Sequence, residues 1–271
     1  MSPSFSNASR PETKIVPAAR VSEIHRTAFV TGASTGLGRA FTEMLLRESV
    51  RVWGTSRDAA RLDQLVTRYS SLFTPVAFDL RNGAHAEAVF REAEAEAGGF
   101  DLVVNNAGYG VFAPFAAAEF SVWEEQLQVM LVNISSLAAE FPLPFQSAYN
   151  IAKAGLTALN ESLMMEVSGT GVVILDVRPG DYRTDFEGSV LRPTVESTPR
   201  LTRAWAAFEA MMRGGPAPAH AAASVRRALL RNRSGTVRTG RFFQAMVAPF
   251  LARFGSLALK RRIQAGYFDV S

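Results

Sequence analysis

Three glycines, Gly32, Gly36 and Gly38, stand as G-x-x-x-G-x-G between a short β-branched apolar run and an amphipathic one. The run before them, Thr27–Thr31, predicts a buried strand. The run after them, Leu37–Glu48, carries Leu37, Phe41, Met44 and Leu45 at helical spacing. A strand, a tight turn and a helix in that order send the chain back along a sheet, and the pattern repeats. Arg51–Thr55 predicts a second strand, and Asp58 caps a helix to about Arg68. Val76–Leu80 predicts a third strand, His85–Ala97 a helix closed by Gly98-Gly99, and Asp101–Asn105 a fourth strand. Such alternation builds parallel βαβ units with right-handed crossovers, which makes this an α/β chain.

Further along, Ser121–Met130 predicts a short helix that passes almost directly into a fifth strand, Leu131–Ser136. Ser147–Val167 predicts a long helix and Val172–Val177 a sixth strand. Phe186–Pro216 reads as loop with one helix near Thr202–Met212, and Ala219–Arg231 as a further helix. Residues 1–26 are rich in Ser, Pro and Arg and predict a disordered lead-in, so the folded domain is expected at 27–235. The remainder, 236–271, is both basic and apolar; it predicts a segment packed on the domain or set at an interface, with peripheral membrane contact as the sharper reading.

Composition bounds the chemistry. With 271 residues, 48% hydrophobic and 20% charged, the chain can bury one sizeable core without staples. It has no Cys, which excludes disulfides and thiolate chemistry. His25, His85 and His220 lie too far apart in sequence to suggest a metal site. The formal charge of +4 is spread along the chain, mostly as Arg, so solvated helix faces rather than nucleic-acid binding are expected. No apolar run reaches membrane-spanning length and no secretory core is visible near Met1, which leads to the expectation of a cytoplasmic protein.

The glycine turn points to a ligand. Glycines let backbone N–H groups approach a pyrophosphate, and the helix N-terminus adds donors and a positive dipole end. No Walker-type Lys follows, which argues against triphosphate hydrolysis. A carboxylate at the end of the second strand would bind a ribose 2′-hydroxyl; here Ser56 stands there and Arg57 follows. A guanidinium suits a 2′-phosphate, so NADP(H) is expected over NAD(H). Asp58 is accounted for by helix capping. Tyr149 and Lys153 lie four apart on one predicted helix and share a face. A neighbouring ammonium favours the phenolate, so the pair could exchange a proton near neutrality; the plainer reading is a surface pair. Ser136 at the end of the fifth strand could hold a substrate carbonyl oxygen. Ser135 competes with it, because strand alternation sends the two side chains opposite ways.

Taken together, Thr31–Gly38 (TGASTGLG), FDL at Phe78–Leu80, NNAG at Asn105–Gly108, NISS at Asn133–Ser136, YNIAK at Tyr149–Lys153 and RPGDYRTDF at Arg178–Phe186 resemble the short-chain dehydrogenase/reductase family. The resemblance runs in the family's order over about residues 27–190 and is similar to the branch of retinol- and 17β-hydroxysteroid-type dehydrogenases. It implies a single-domain, Rossmann-type doubly wound parallel sheet of seven strands. It implies that Tyr149 is the general acid/base and that Lys153 holds the nicotinamide ribose and lowers the Tyr149 pKa. Ser136, thirteen residues before Tyr149, is the carbonyl-orienting hydroxyl by the same likeness. The cofactor residues implied are the loop with Gly32, Ser34, Thr35, Gly36, Leu37 and Gly38, then Arg57, then Asp79 and Leu80 at the adenine. Asn105, Ala107 and Gly108 line its middle, and Pro179, Gly180, Tyr182 and Thr184 meet the nicotinamide end.

The chain also departs from that pattern. Between the fourth and fifth strands family members carry a long helix with a catalytic Asn, and here several turns are missing, with Met130 standing where the Asn would be. A parallel crossover needs about a dozen residues, which Gly108–Leu131 supplies. A shortened fourth crossover helix, a curtailed fifth strand and loss of the usual family tetramer interface are expected. The sequence therefore predicts an NADP(H)-dependent oxidoreductase that interconverts an alcohol and a ketone or aldehyde on a lipophilic small molecule. Phe112, Phe115, Leu143, Phe145, Trp205, Phe208, Met211 and Met212 would supply apolar walls, and Phe186–Pro216 a lid. A non-redox enzyme on the same fold (dehydratase, epimerase or cyclase) and a catalytically impaired NADP-binding scaffold are the alternatives.

Overall fold

A computed structural model of the chain describes residues 19–80, 82–108, 110–112, 133–186, 188, 190–192 and 198–270. The expected crossover helix Ser121–Met130, Phe115 and most of the lead-in lie outside these residues. The lead-in that is described is not loose. Val21 is fully buried, and its N–H donates to Glu48 Oε2 at 3.0 Å.

Strand β1 (Thr27–Val30) is buried at every position, as is β2 (Arg51–Ser56) after its first residue. Continuous burial of β-branched and aromatic residues is what a parallel sheet covered on both faces requires. β1 pairs in parallel with β2 and with β4 (Leu102–Val104), and β2 pairs with β3 (Phe73–Ala77), giving the order β3-β2-β1-β4. Helices α1 (Gly36–Arg47), α2 (Asp63–Arg68, after a 3₁₀ turn at Ala59–Leu62) and α3 (Gly83–Ala97) make the crossovers. α1 buries Phe41, Met44, Leu45 and Leu46, close to the stripe its sequence predicts. Asp58 caps its turn by accepting from the Ala60 N–H at 3.1 Å.

The third strand begins earlier than the sequence suggests. It runs through Pro75 because β3 is the sheet edge, where a missing N–H costs no ladder bond. Phe78, Asp79 and Leu80 therefore sit past its end.

A second parallel pair continues the sheet: β6 (Leu175–Pro179) with β8 (Gly235–Thr239). The two parts meet through Ile134. Its N–H donates to the Asn105 carbonyl at 2.9 Å, and it bridges Val177 in parallel. The expected fifth strand is thus reduced, among the described residues, to this one bridge. β6 is displaced from the expected Val172–Val177 because its register is set by β8. β8 in turn crosses the expected domain boundary at 235, so residues 236–239 belong to the sheet. A short outlying pair, β5 (Gly110–Val111) with β7 (Val190–Leu191), was not expected.

Helix α4 (Ser147–Glu166) flanks the sheet; α5 (Pro199–Gly214), capped by Thr198, and α6 (Pro218–Arg231) follow. A π-helical turn at Phe243–Val247 leads into α7 (Ala248–Phe254) and α8 (Leu257–Tyr267). The main core lies between the sheet, α1 and α6. A separate cluster gathers Phe112, Phe208 and Met212 with Phe268 and Val270, and Leu143, Phe145, Trp205 and Met211 pack against it. Most of the apolar residues expected to wall a substrate space are therefore also core.

Candidate active site

The strand order reverses direction between β1 and β4, and at that switch point the carboxyl ends of neighbouring strands open a crevice. Two loops meet there. The Thr31 hydroxyl accepts from the N–H groups of Asn106 (2.9 Å) and Ala107 (3.0 Å). Asn106 Nδ2 returns a bond to the Thr31 carbonyl at 3.1 Å. The Gly32 N–H donates to Thr55 Oγ1 at 3.1 Å. Gly32 holds φ +69°, a left-handed conformation in which a side chain would strain the turn. A Cβ on Gly38 would lie 2.2 Å from the Gly32 carbonyl oxygen. Thr35 at the start of α1 makes no side-chain cap, whereas Asp58, Asn82, Thr198 and Ser256 each cap their own helices.

The crevice is a cavity of about 850 Å³. At one end it is lined by Gly32, Ser34, Thr35, Gly36 and Leu37, with Arg57, Asp79 and Leu80 beside them, and by Ala107 and Gly108. At the other end stand Ser136, Tyr149 and Lys153, with Pro179, Gly180, Tyr182 and Thr184. Two expected residues do not line it. Gly38 serves the packing of α1 against the loop. Asn105 gives its carbonyl to Ile134, while its neighbour Asn106 faces the cavity, because successive residues of an extended segment point opposite ways. Tyr182 does line the wall, but its hydroxyl turns inward to Thr239 Oγ1 (2.6 Å) and His220 Nδ1 (2.8 Å) and packs the PG loop onto α6 and β8.

The choice between the two serines is decided by packing. The Ser135 hydroxyl donates into the interior to Asp176 Oδ1, in a buried cluster where Asp176 also accepts from Asn160 (3.0 Å) and Arg178 (2.6 Å). Ser136 accepts from the Ala138 N–H at 3.1 Å and stands close enough to the Tyr149 phenol to favour its ionised form. Lys153 Nζ lies 5.7 Å from the Tyr149 ring centroid and donates to the Ile134 carbonyl. Helix α4 therefore brings the Tyr–Lys pair to the cavity rather than to the surface.

Burial and charge set the protonation states. Removal from water pushes the Tyr149 phenol above its ordinary value; the neighbouring Ser136 hydroxyl opposes this and the Asp181 carboxylate adds to it. Burial dominates the Tyr149 shift, and Lys153 is not among the groups that offset it. Burial brings Lys153 down to about 8, with the Asp176 charge opposing. Lys153 is thus close to half-protonated under mildly basic conditions.

The wall opposite joins residues that no local pattern singles out. Asp181, directly after the Pro-Gly turn, accepts from Tyr267 Oη (2.7 Å) and from Gln244 Nε2, and Gln244 Nε2 also reaches Tyr267 Oη at 2.6 Å. Gln244, Tyr267, Phe243 and Ile263 line the cavity, so the C-terminal segment closes it. Thr55 and Arg61, which the sequence did not single out, line the glycine-turn end beside Ser56 and Asp58. No group of acidic or His side chains that could hold a metal ion occurs among the described residues.

Comparison with known proteins agrees with this geometry. The sequence profile of the short chain dehydrogenases matches residues 26–132 and 128–194. An uncharacterized oxidoreductase of Myxococcus xanthus is 34% identical over 187 residues, covering 60% of this chain and 74% of that protein. A short-chain dehydrogenase from Streptomyces avermitilis superposes with a TM-score of 0.76 at 26% identity, over 92% of this chain and 98% of that one. A short chain dehydrogenase/reductase from Burkholderia phymatum, solved with NAD, gives a TM-score of 0.69 at 21% identity over 78% and 88%.

Proposed function

Since the chain belongs to the short chain dehydrogenase family, we propose that it is an NADP(H)-dependent oxidoreductase that interconverts an alcohol and a ketone or aldehyde on a lipophilic small molecule. One observation carries the proposal: the glycine turn and the Ser136–Tyr149–Lys153 group open into the same cavity. The residues fit a nicotinamide dinucleotide. The uncapped start of α1 and the turn at Gly32 would take its pyrophosphate, and Lys153 its nicotinamide-side ribose. When bound, such a cofactor supplies or accepts hydride.

The chain's own residues supply the rest. A substrate oxygen between Ser136 and Tyr149 would receive two hydroxyl donors, which stabilise negative charge developing there. With its pKa raised, Tyr149 rests as the neutral phenol, the form that gives a proton to a carbonyl oxygen. Above pH about 8 Lys153 loses its charge and ceases to stabilise the phenolate left behind. Leu143, Phe186, Leu191, Phe208, Met212 and Phe268 line the substrate side, which supports an apolar substrate.

The preference for NADP(H) rests on Arg57 and Arg61 at the cavity's nucleotide end and on Ser56, rather than a carboxylate, closing β2. The test is a panel of carbonyls and alcohols with both cofactors, followed by nicotinamide absorbance. Turnover with NADPH or NADP⁺ that disappears in Tyr149→Phe supports the reading. Product formation with no absorbance change would refute it.

A further inference from the structure

The C-terminal segment presents an apolar stripe outward. Phe242, Met246, Phe250 and Phe254 follow at four-residue intervals and are 75%, 63%, 63% and 69% exposed. Leu257, which opens α8, is 64% exposed. Four-residue spacing places side chains on one helical face, and the rings of Phe250 and Phe254 meet with centroids 4.9 Å apart. Large apolar side chains in such a row mark an interaction surface rather than chance exposure.

Charge narrows the partner. Residues 241–270 contain Arg241, Arg253, Lys260, Arg261 and Arg262 against Asp269 alone. Arg261 and Arg262 are exposed on α8, directly after the stripe. An aromatic face bordered by cations suits the boundary between acyl chains and anionic headgroups. Residues 242–254 would extend roughly 20 Å, short of a hydrocarbon core of about 30 Å. No helix among the described residues is long and apolar enough to cross a membrane. The segment can therefore lie along a bilayer but not span it.

We infer that the face formed by Phe242, Met246, Phe250, Phe254 and Leu257 docks on an anionic lipid bilayer, with Arg261 and Arg262 over the headgroups. The same segment closes the cavity on its inner side through Phe243, Gln244, Ile263 and Tyr267, so docking places the cavity next to the lipid phase. That last consequence rests on the lipophilic-substrate reading; the docking itself does not.

The experiment is co-sedimentation of the full chain with phosphatidylcholine vesicles, with and without phosphatidylserine. Binding is expected to the anionic vesicles and to weaken as salt rises. Arg261→Gln with Arg262→Gln should lower partitioning roughly 30-fold, about fivefold per charge removed. Phe250→Ser with Phe254→Ser should abolish it, while far-ultraviolet circular dichroism and cofactor binding stay unchanged. Absence of vesicle binding overturns the inference, as does binding indifferent to both double variants. So does a wild-type dimer by light scattering that Phe250→Ser with Phe254→Ser turns into a monomer, for the stripe would then be a contact between copies. Because vesicle binding needs no turnover, an inactive enzyme that still sediments would count against the oxidoreductase reading alone.

Discussion

The glycine turn and the C-terminal segment face one another across the same cavity and are held by opposite means. Around the turn the donors are backbone: the N–H groups of Gly32, Asn106 and Ala107 go to the hydroxyls of Thr55 and Thr31, and that of Ala33 to the Thr55 carbonyl. Across the cavity the donors are side chains: Gln244 Nε2 and Tyr267 Oη give to Asp181, and Gln264 Nε2 to the Pro142 carbonyl at 2.8 Å. A backbone clamp admits almost no substitution, because an added carbon meets main chain. A side-chain latch can be rebuilt one residue at a time. The rigid side thus suits the invariant part of a ligand, and the adjustable side suits a substrate that differs between relatives.

That contrast can be broken by mutation. Replacing Tyr149→Phe should lower turnover by roughly 10²- to 10⁴-fold with cofactor affinity nearly unchanged, measured by steady-state kinetics and calorimetry. Parallel loss of affinity would mean that the phenol holds the fold of the site instead. Next in size, Arg57→Ala should weaken NADP(H) by about 10- to 100-fold and leave NAD(H) almost untouched, the range expected for one charge-assisted bond. Equal effects on both cofactors would remove the 2′-phosphate assignment.

Two glycines probe the halves directly. Gly38→Ala forces a carbon to within 2.2 Å of the Gly32 carbonyl oxygen and should cost about 1–3 kcal/mol in thermal unfolding, with loss of cofactor binding. Gly266→Ala in α8 meets nothing within 4 Å and should instead stabilise by about 0.5–1 kcal/mol through helix propensity. A reversed order would show that the C-terminal side is the rigid one.

Lys153 supplies a pH test. Its pKa in the folded chain is about 8 against an ordinary 10.5, so the unfolded chain binds the extra proton between those values. Stability should therefore rise as pH increases from about 8 to 10.5, while turnover that depends on the ammonium falls. Lys153→Met should remove the rise in stability and abolish turnover at every pH. The latch gives the last test. Tyr267→Phe removes its bonds to Asp181 and Gln244 and should cost about 1–2 kcal/mol, raising KM for bulky substrates with little change in kcat.

Much of the nucleotide half is legible in the chain because its determinants are close in sequence. The β-branched run of β1, the glycines and the stripe of α1 occupy about twenty consecutive residues, and their periodicities dictate strand, turn and helix. Tyr149 and Lys153 share a helix face for the same local reason. Side-chain direction in extended segments was harder to read. Asn105 and Asn106, or Ser135 and Ser136, are alike in type, and only the register against neighbouring strands decides which of each pair meets the cavity.

The sequence alone therefore determined the class of fold, the glycine turn and the helix that carries the phenol and the ammonium, since each follows from short-range spacing. Tertiary structure alone decided that Thr236–Thr239 adds a strand beside β6, that Asp176 draws Ser135 inward, and that Gln244 and Tyr267 close the site from far along the chain. These features depend on groups brought together across 41 to 86 residues, and no local pattern encodes a contact that exists only after the chain has folded back on itself.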